Sequence, residues 1–276
     1  MKLGMAIIGG AMLWSTPAAT QVPDMQLWRL DCGTISVSDF GVFSDTGSFR
    51  GEKRDLVVGC YLIKHGSNYL LWDTGFPATL KGKTSTEWVF TTALRTTIVE
   101  QLARIGIRPD QVTHVGLSHS HDDHTGQARD FPKARLLMGK PDLDAFKAAP
   151  PSGGLERARL APWLDSGAPS EGVAGDKDVF GDGRVVMLKM AGHTPGHRTL
   201  LVRLPKMGPV MLSGDQFHAQ ASFDQNEVPT FNVDRADTLA AHDRFKRMAQ
   251  TLKATIIIQH EPGDISKLPA FPAAAQ

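Results

Sequence analysis

The residues best able to do chemistry stand together in Ser118-His119-Ser120-His121-Asp122-Asp123-His124-Thr125-Gly126. Three of the chain's ten histidines and two carboxylates fall within six residues there. An apolar run over 112–117 precedes them, so the cluster begins where a short buried strand stops. On extended backbone, alternate side chains share a side, so His119 and His121 can hold one metal ion between them. A turn starting at Asp122 swings Asp123 and His124 toward a second ion. A solvated polar loop would require none of these types, whereas neutral imidazole is the commonest metal-ligand side chain.

Three single residues stand at strand ends further on. His193 lies in Gly192-His193-Thr194-Pro195-Gly196-His197, Asp215 in Ser213-Gly214-Asp215, and His260 just after Ile256-Ile257-Ile258. Alone, each reads as a core-edge histidine or a turn aspartate. Together they complete two donor sets. His119, His121 and His193 offer three nitrogens to one ion. Asp123, His124 and His260 offer an oxygen and two nitrogens to another, and Asp215 can bridge both with its two oxygens. Mixed His/Asp donors with open positions are typical of catalytic rather than structural zinc.

Elements must bring these stretches together. Strand-like runs over 25–30 and 34–40 flank Asp31-Cys32-Gly33, and a polar loop covers 44–54. The runs 55–63 and 69–73, parted by His65-Gly66-Ser67-Asn68, predict a hairpin. Leu94, Ile98, Leu102 and Ile105 follow the helical period, with Gly106 as a stop. Strands are expected over 134–138, 184–190, 199–204, 210–212 and 254–258. A short helix is expected around Leu143 and Phe146, and an amphipathic helix over 238–252. Residues 149–178, rich in Pro, Gly, Ala and Ser, read as a long excursion with one helical turn near 156–160. Strands lead, helices alternate later, and no linker divides the chain, which predicts helices covering sheets in one α/β domain.

The 276 residues carry 30 Lys+Arg against 29 Asp+Glu, a net charge of +1, with 41% apolar residues. That is ample core material and excludes disordered and disulfide-stapled classes. Near-zero charge argues against a nucleic-acid partner, which needs a basic surface to meet phosphates. Residues 1–20 read as a signal peptide: Lys2, an uncharged run over 3–13, then Ser15, Thr16, Ala18 and Ala19 before a cleavage point between Ala18 and Gln21. The mature chain, 21–276, is therefore expected in the periplasm or secreted, with no segment to hold it in a membrane. Export permits a disulfide, and Cys32 and Cys60 form either that pair or two buried thiols.

The pattern His-x-His-x-Asp-His, then Gly-His-Thr-Pro-Gly-His, then an Asp after a strand and a late His, resembles the metallo-β-lactamase superfamily. The resemblance spans Asp73 to His260. It implies an αβ/βα sandwich, two central mixed β-sheets with helices on the outer faces. It also implies that Asp73, in Leu71-Trp72-Asp73-Thr74-Gly75, orients a metal ligand by a hydrogen bond. Within the superfamily the chain is most similar to exported N-acyl homoserine lactone lactonases. Leu27-Trp28-Arg29-Leu30-Asp31-Cys32-Gly33 and Cys60-Tyr61-Leu62-Ile63-Lys64-His65-Gly66 carry that resemblance. It implies a quorum-quenching hydrolase of small molecules, often a homodimer. Many of these lactonases place a Tyr against the substrate carbonyl three residues after the bridging Asp. His218 stands here instead, either as a hydrogen-bond donor in that role or as packing at the pocket edge.

Two divalent ions, zinc by expectation, would activate a bridging water as hydroxide and polarise the carbonyl. Asp123 would pass a proton to the leaving alkoxide. Phe76, Leu80, Trp88 and Phe90, and Phe217, Phe223 and Phe231 near Asp215, are candidate pocket walls. A methyl-parathion-hydrolase-like organophosphate hydrolase and a zinc β-lactamase are the alternatives, the second disfavoured by a bridging Asp215.

Overall fold

The computed structural model describes Met1 and residues 24–148 and 155–276. The expected signal peptide and the start of the long excursion lie outside them. Runs rich in β-branched and aromatic residues form the strands. β1 (Met25–Val37), β2 (Arg54–His65) and β3 (Asn68–Trp72) are antiparallel neighbours. β4 (Thr84–Glu87) and β5 (Phe90–Ala93) add a hairpin at the β1 edge. After α1 (Ile98–Arg104), β6 (His114–Leu117) pairs parallel to β3. α2 (Asp122–Thr125), β7 (Arg135–Gly139), α3 (Lys140–Lys147), α4 (Ala161–Leu164) and β8 (Ser170–Val173) follow. These eight strands form one sheet in the order β4-β5-β1-β2-β3-β6-β7-β8.

The second sheet holds β9 (Lys177–Asp178), β10 (Val185–Lys189), β11 (Arg198–Leu204), β12 (Gly208–Leu212) and β13 (Thr255–Ile257). Its order is β13-β12-β11-β10-β9, with only β12 and β13 parallel. Between β12 and β13 run α5 (Gln220–Gln225) and α6 (Arg235–Leu252). Asp234 caps α6 by accepting from Asp237 N.

Three apolar clusters assemble the layers. Leu27, Tyr61, Ile63, Leu70 and Trp72 of the first sheet meet Val185, Met187, Leu200, Val210 and Leu212 of the second. On the outer face of the first sheet, Leu30, Leu62 and Leu136 pack with Ile98, Leu102, Leu143 and Phe146 from α1 and α3. On the outer face of the second, Leu188, Leu201 and Met211 pack with Ala241, Phe245 and Ala249 of α6. Each buried Val, Leu, Ile, Met or Phe among them contributes about 1.5–3 kcal/mol. The result is the expected sandwich, two mixed sheets with helices outside.

Three details differ from the sequence reading. The runs at 25–30 and 34–40 join in one strand, because a bulge leaves Cys32 and Gly33 unpaired and the ladder to β2 resumes at Thr34. Residues 84–93, for which the sequence predicts no strand, form the hairpin of β4 and β5. The described part of the excursion forms α4, β8 and β9, after a 3-10 turn over Arg157–Leu160. Cys32 and Cys60 form a disulfide, the first of the two alternatives. Closing a loop of 28 residues stabilises a fold by about 3–4 kcal/mol.

Candidate metal centre

Every candidate ligand lies just beyond a strand. His119, His121, Asp123 and His124 follow β6 of the first sheet. His193, Asp215 and His260 follow β10, β12 and β13 of the second. The sandwich brings them together at one edge in two groups: His119, His121, His193 and Asp215, and Asp123, His124 and His260. Within each group the ligand atoms lie within 4.8 Å of one another.

In the first group, His121 Nδ1 stands 2.9 Å from His119 Nε2 and 3.0 Å from His193 Nε2. Asp215 Oδ2 is 3.7 Å from His119 Nε2 and 3.5 Å from His193 Nε2. Its other oxygen, Oδ1, lies 3.2 Å from His124 Nε2 and 3.1 Å from His260 Nε2. Asp123 Oδ2 is 3.5 Å from each of the same two nitrogens. Asp215 thus divides its oxygens between the groups, as a bridging ligand must.

The donors fit divalent ions on two observations. Burial holds His119 and His193 well below the ordinary imidazole pKa, with His124 adding to the shift at His119 and His121 at His193, and it lowers His121. Three neutral rings therefore aim nitrogens at one small volume, an arrangement that a shared cation relieves. In the second group, burial disfavours charge on His124, but Asp215, Asp123 and Asp73 outweigh it and hold its pKa well above the usual value. His260 is raised as well: burial again opposes the charge, and Asp215 and Asp123 overcome it. Desolvation would raise Asp123, yet His124 and His260 bring it down to about 2. Fully buried His124 Nε2 makes no hydrogen bond. The protons that balance these carboxylates occupy the place a cation would take, so binding releases them.

The ligand rings are oriented from behind. His124 Nδ1 faces Asp73 Oδ2 at 2.9 Å, and Asp73 Oδ1 accepts from Ser118 N at 2.7 Å. His260 Nδ1 donates to Val57 O at 2.8 Å. Either contact leaves Nε2 free for an ion. Asp215 is set by His197, whose Nε2 accepts from Asp215 N at 2.9 Å while Nδ1 donates to Met190 O at 3.0 Å. Burial keeps His197 neutral, at a pKa of about 3.

Other supports escaped the sequence reading. Asp142 on α3 accepts from Thr194 Oγ1 at 2.7 Å and Gly196 N at 2.6 Å, fixing the loop of His193. Buried Arg159 pairs with Asp122 beside the ligands. A lone acid in a helix and a lone base in a loop carry no local signal of such partners.

His218 Nε2 lies 3.2 Å from Asp215 Oδ2, and its ring meets Phe43 at 4.5 Å between centroids. Above the donors opens a cleft of about 590 Å³. Phe76, Leu80, Trp88 and Phe90 all line it, with Phe43 and Phe231. Phe217 and Phe223 do not: they pack together at 4.8 Å, and Phe217 stacks on His242 of α6 at 4.2 Å. Among the described residues no Lys or Arg lines the cleft, whereas Glu87, Asp122 and Asp123 do.

Residues 54–260 match the family model described as Metallo-beta-lactamase superfamily. The N-acyl homoserine lactonase AttM of Azorhizobium caulinodans is 26% identical over 249 residues, covering 87% of this chain and 94% of that protein. The crystal structure of a quorum-quenching N-acyl homoserine lactone hydrolase superposes with a TM-score of 0.77 at 22% identity, covering 91% of this chain and 98% of the other. AidC, described as a dizinc quorum-quenching lactonase, gives 0.65 at 18% identity, with 92% and 90% covered.

Proposed function

Since the chain belongs to the metallo-beta-lactamase superfamily, we propose that it is a dinuclear-metal hydrolase that opens the lactone ring of N-acyl homoserine lactones. One observation carries this reading: two donor groups sharing Asp215 form the floor of an apolar cleft without cationic side chains among the described residues. A neutral substrate with an apolar tail suits such a cleft. A β-lactam antibiotic, which carries a carboxylate, would meet Glu87 with no Lys or Arg among the described lining residues to balance it. The relatives named above act on acyl homoserine lactones.

A pair of divalent ions, zinc in this reading as in AidC, supplies Lewis acidity and draws a nucleophile from water at neutral pH. His119, His121 and His193 would hold the first ion, Asp123, His124 and His260 the second, and Asp215 both. The chain's own contribution is placement. The aromatic walls exclude water and seat the acyl chain. Asp123, the more exposed of the two ligand carboxylates that line the cleft, takes a proton and passes it to the departing alkoxide. Because the leaving group stays tethered, the product is a single hydroxy acid. His218 keeps Asp215 Oδ2 in line and presents its ring to the cleft beside the carbonyl.

A phosphotriester with an aryl leaving group is the second reading. Trp88 meets Phe90 at 5.5 Å edge-on, and Phe231 closes the wall at 6.4 Å from Phe90. Export to the periplasm or medium, and a homodimeric state, belong to the same proposal, supported by the pattern of residues 1–20 and by the likeness to these lactonases.

The test is a panel of acyl homoserine lactones from short to long chain, with nitrocefin and paraoxon alongside and metal content measured on the same sample. Lactone turnover by a chain holding two ions is expected. Turnover of nitrocefin with none of the lactones would replace this reading by the β-lactamase.

A further inference from the structure

The cystine takes no part in the chemistry above, yet it lies against the residues that hold one donor group. We propose that the Cys32–Cys60 disulfide is a positioning element for the second ion: a chain folded without it keeps the first ion and loses its grip on the second. This rests on the dinuclear reading but not on the choice of substrate.

The second group consists of Asp123, His124 and His260; His260 is tied to β2, which the cystine joins to β1, and His124 to the loop after β3, which rests on Cys32. His260 is held by β2 just before Cys60. Its Nδ1 donates to Val57 O at 2.8 Å, its carbonyl accepts from Val57 N at 3.2 Å, and Gln259 Nε2 donates to Gly59 O at 2.6 Å. His124 is held by the loop after β3. Asp73 faces its Nδ1, and its carbonyl accepts from Thr74 N at 2.7 Å and from Thr74 Oγ1 at 2.8 Å.

That loop rests on Cys32. Phe76 N donates to Cys32 O at 3.4 Å. Gly75, at φ +61°, lies so close that a Cβ there would stand 2.5 Å from Cys32 Cβ and 2.9 Å from its sulfur. Gly75 O in turn accepts from Gly126 N at 2.8 Å, just past His124. Cys32 itself sits in the β1 bulge, where the ladder to β2 is interrupted. The covalent link therefore ties the bulge to β2 at the point where the ladder does not.

The first group is held by other means. Asp142 fixes the His193 loop, and Arg198 N donates to Ser118 O at 2.8 Å beside His119. Neither contact involves the cystine. The groups meet at Asp215, at Asp73 through Ser118 N, and at Ser118 Oγ, which lies 3.0 Å from His119 Nδ1 and 3.1 Å from His124 Nδ1.

Both cysteines are fully buried, so the bond is made as the chain folds rather than toggled afterwards. Two thiols lose two electrons and two protons to a disulfide oxidant, which leaves as two thiols. An oxidising compartment would then yield the two-ion form and a reducing one the one-ion form.

The experiment compares three samples: the chain folded with glutathione disulfide, the chain folded under a phosphine reductant, and Cys32→Ala/Cys60→Ala, which has no thiol to bind metal. Alkylation and mass spectrometry count thiols. Zinc per chain and chelator competition give the two binding steps, and far-UV circular dichroism reports the fold. The oxidised chain should hold two ions. The other two samples should keep the first step unchanged and weaken the second about 10–100-fold, with the dichroism retained. An unchanged second step overturns the proposal. So does loss of both ions together with the dichroism, or failure of both disulfide-free forms to fold, since the cystine would then be a general staple. If the oxidised chain never holds two ions, the dinuclear reading fails first, and the samples separate the two failures.

Discussion

At the scale of single residues, a carboxylate shared by two donor groups fails differently from an imidazole in one. Asp215→Ala should abolish binding at both positions, while His121→Ala removes only the first ion; turnover falls to background in each, with metal counts telling them apart. Acidity acts through the same atoms. In the metal-free chain the carboxylates around His124 and His260 hold their pKa values above the ordinary value. A ligand must shed its proton to bind, so affinity should climb as pH rises. Calorimetric titrations in buffers of different ionisation enthalpy should show protons released; a pH-independent affinity would contradict this account. His242 contrasts with both. Its Nε2 lies 2.7 Å from Gln216 O, and burial lowers its pKa to about 4. His242→Ala should cost about 1–3 kcal/mol of stability in thermal melts and leave the metal count alone.

Loops and hairpins decide what the residues can do. Asp142→Ala strips the His193 loop of two hydrogen bonds and should weaken the first ion about 10–100-fold while sparing the second. Chelator competition would resolve the two steps. The hairpin of β4 and β5 carries Trp88, 64% exposed at the cleft mouth. Trp88→Ala should raise KM for long-chain lactones several-fold and leave short-chain kcat and the ion count unchanged. These elements differ in how far the sequence disclosed them. The ligands were legible because histidines and aspartates just beyond buried apolar runs are rare by composition. The hairpin was not: Thr84-Ser85-Thr86-Glu87 is exposed on both faces and shows no apolar alternation. Asp142 and Arg159 were silent because their partners are distant in sequence. The cysteine pairing depended on a bulge that brings Cys32 across to β2, which periodicity does not reveal.

Across the whole molecule, the layers come from three apolar clusters, and the fold class followed from strand and helix periods with the motif. What no local period could show is which sheet supplies which donor. His119, His121, Asp123 and His124 extend from the eight-stranded sheet, His193, Asp215 and His260 from the five-stranded one. Each donor group draws on both. The centre is therefore a rivet through the seam of the sandwich, and unfolding must pull it out. Thermal stability should then read out the free divalent metal in solution: above the dissociation constant, each ten-fold rise adds about 1.4 kcal/mol per ion. A chelator, ordinarily an inhibitor, would act on this fold as a mild denaturant, and two batches differing only in trace metal would melt apart.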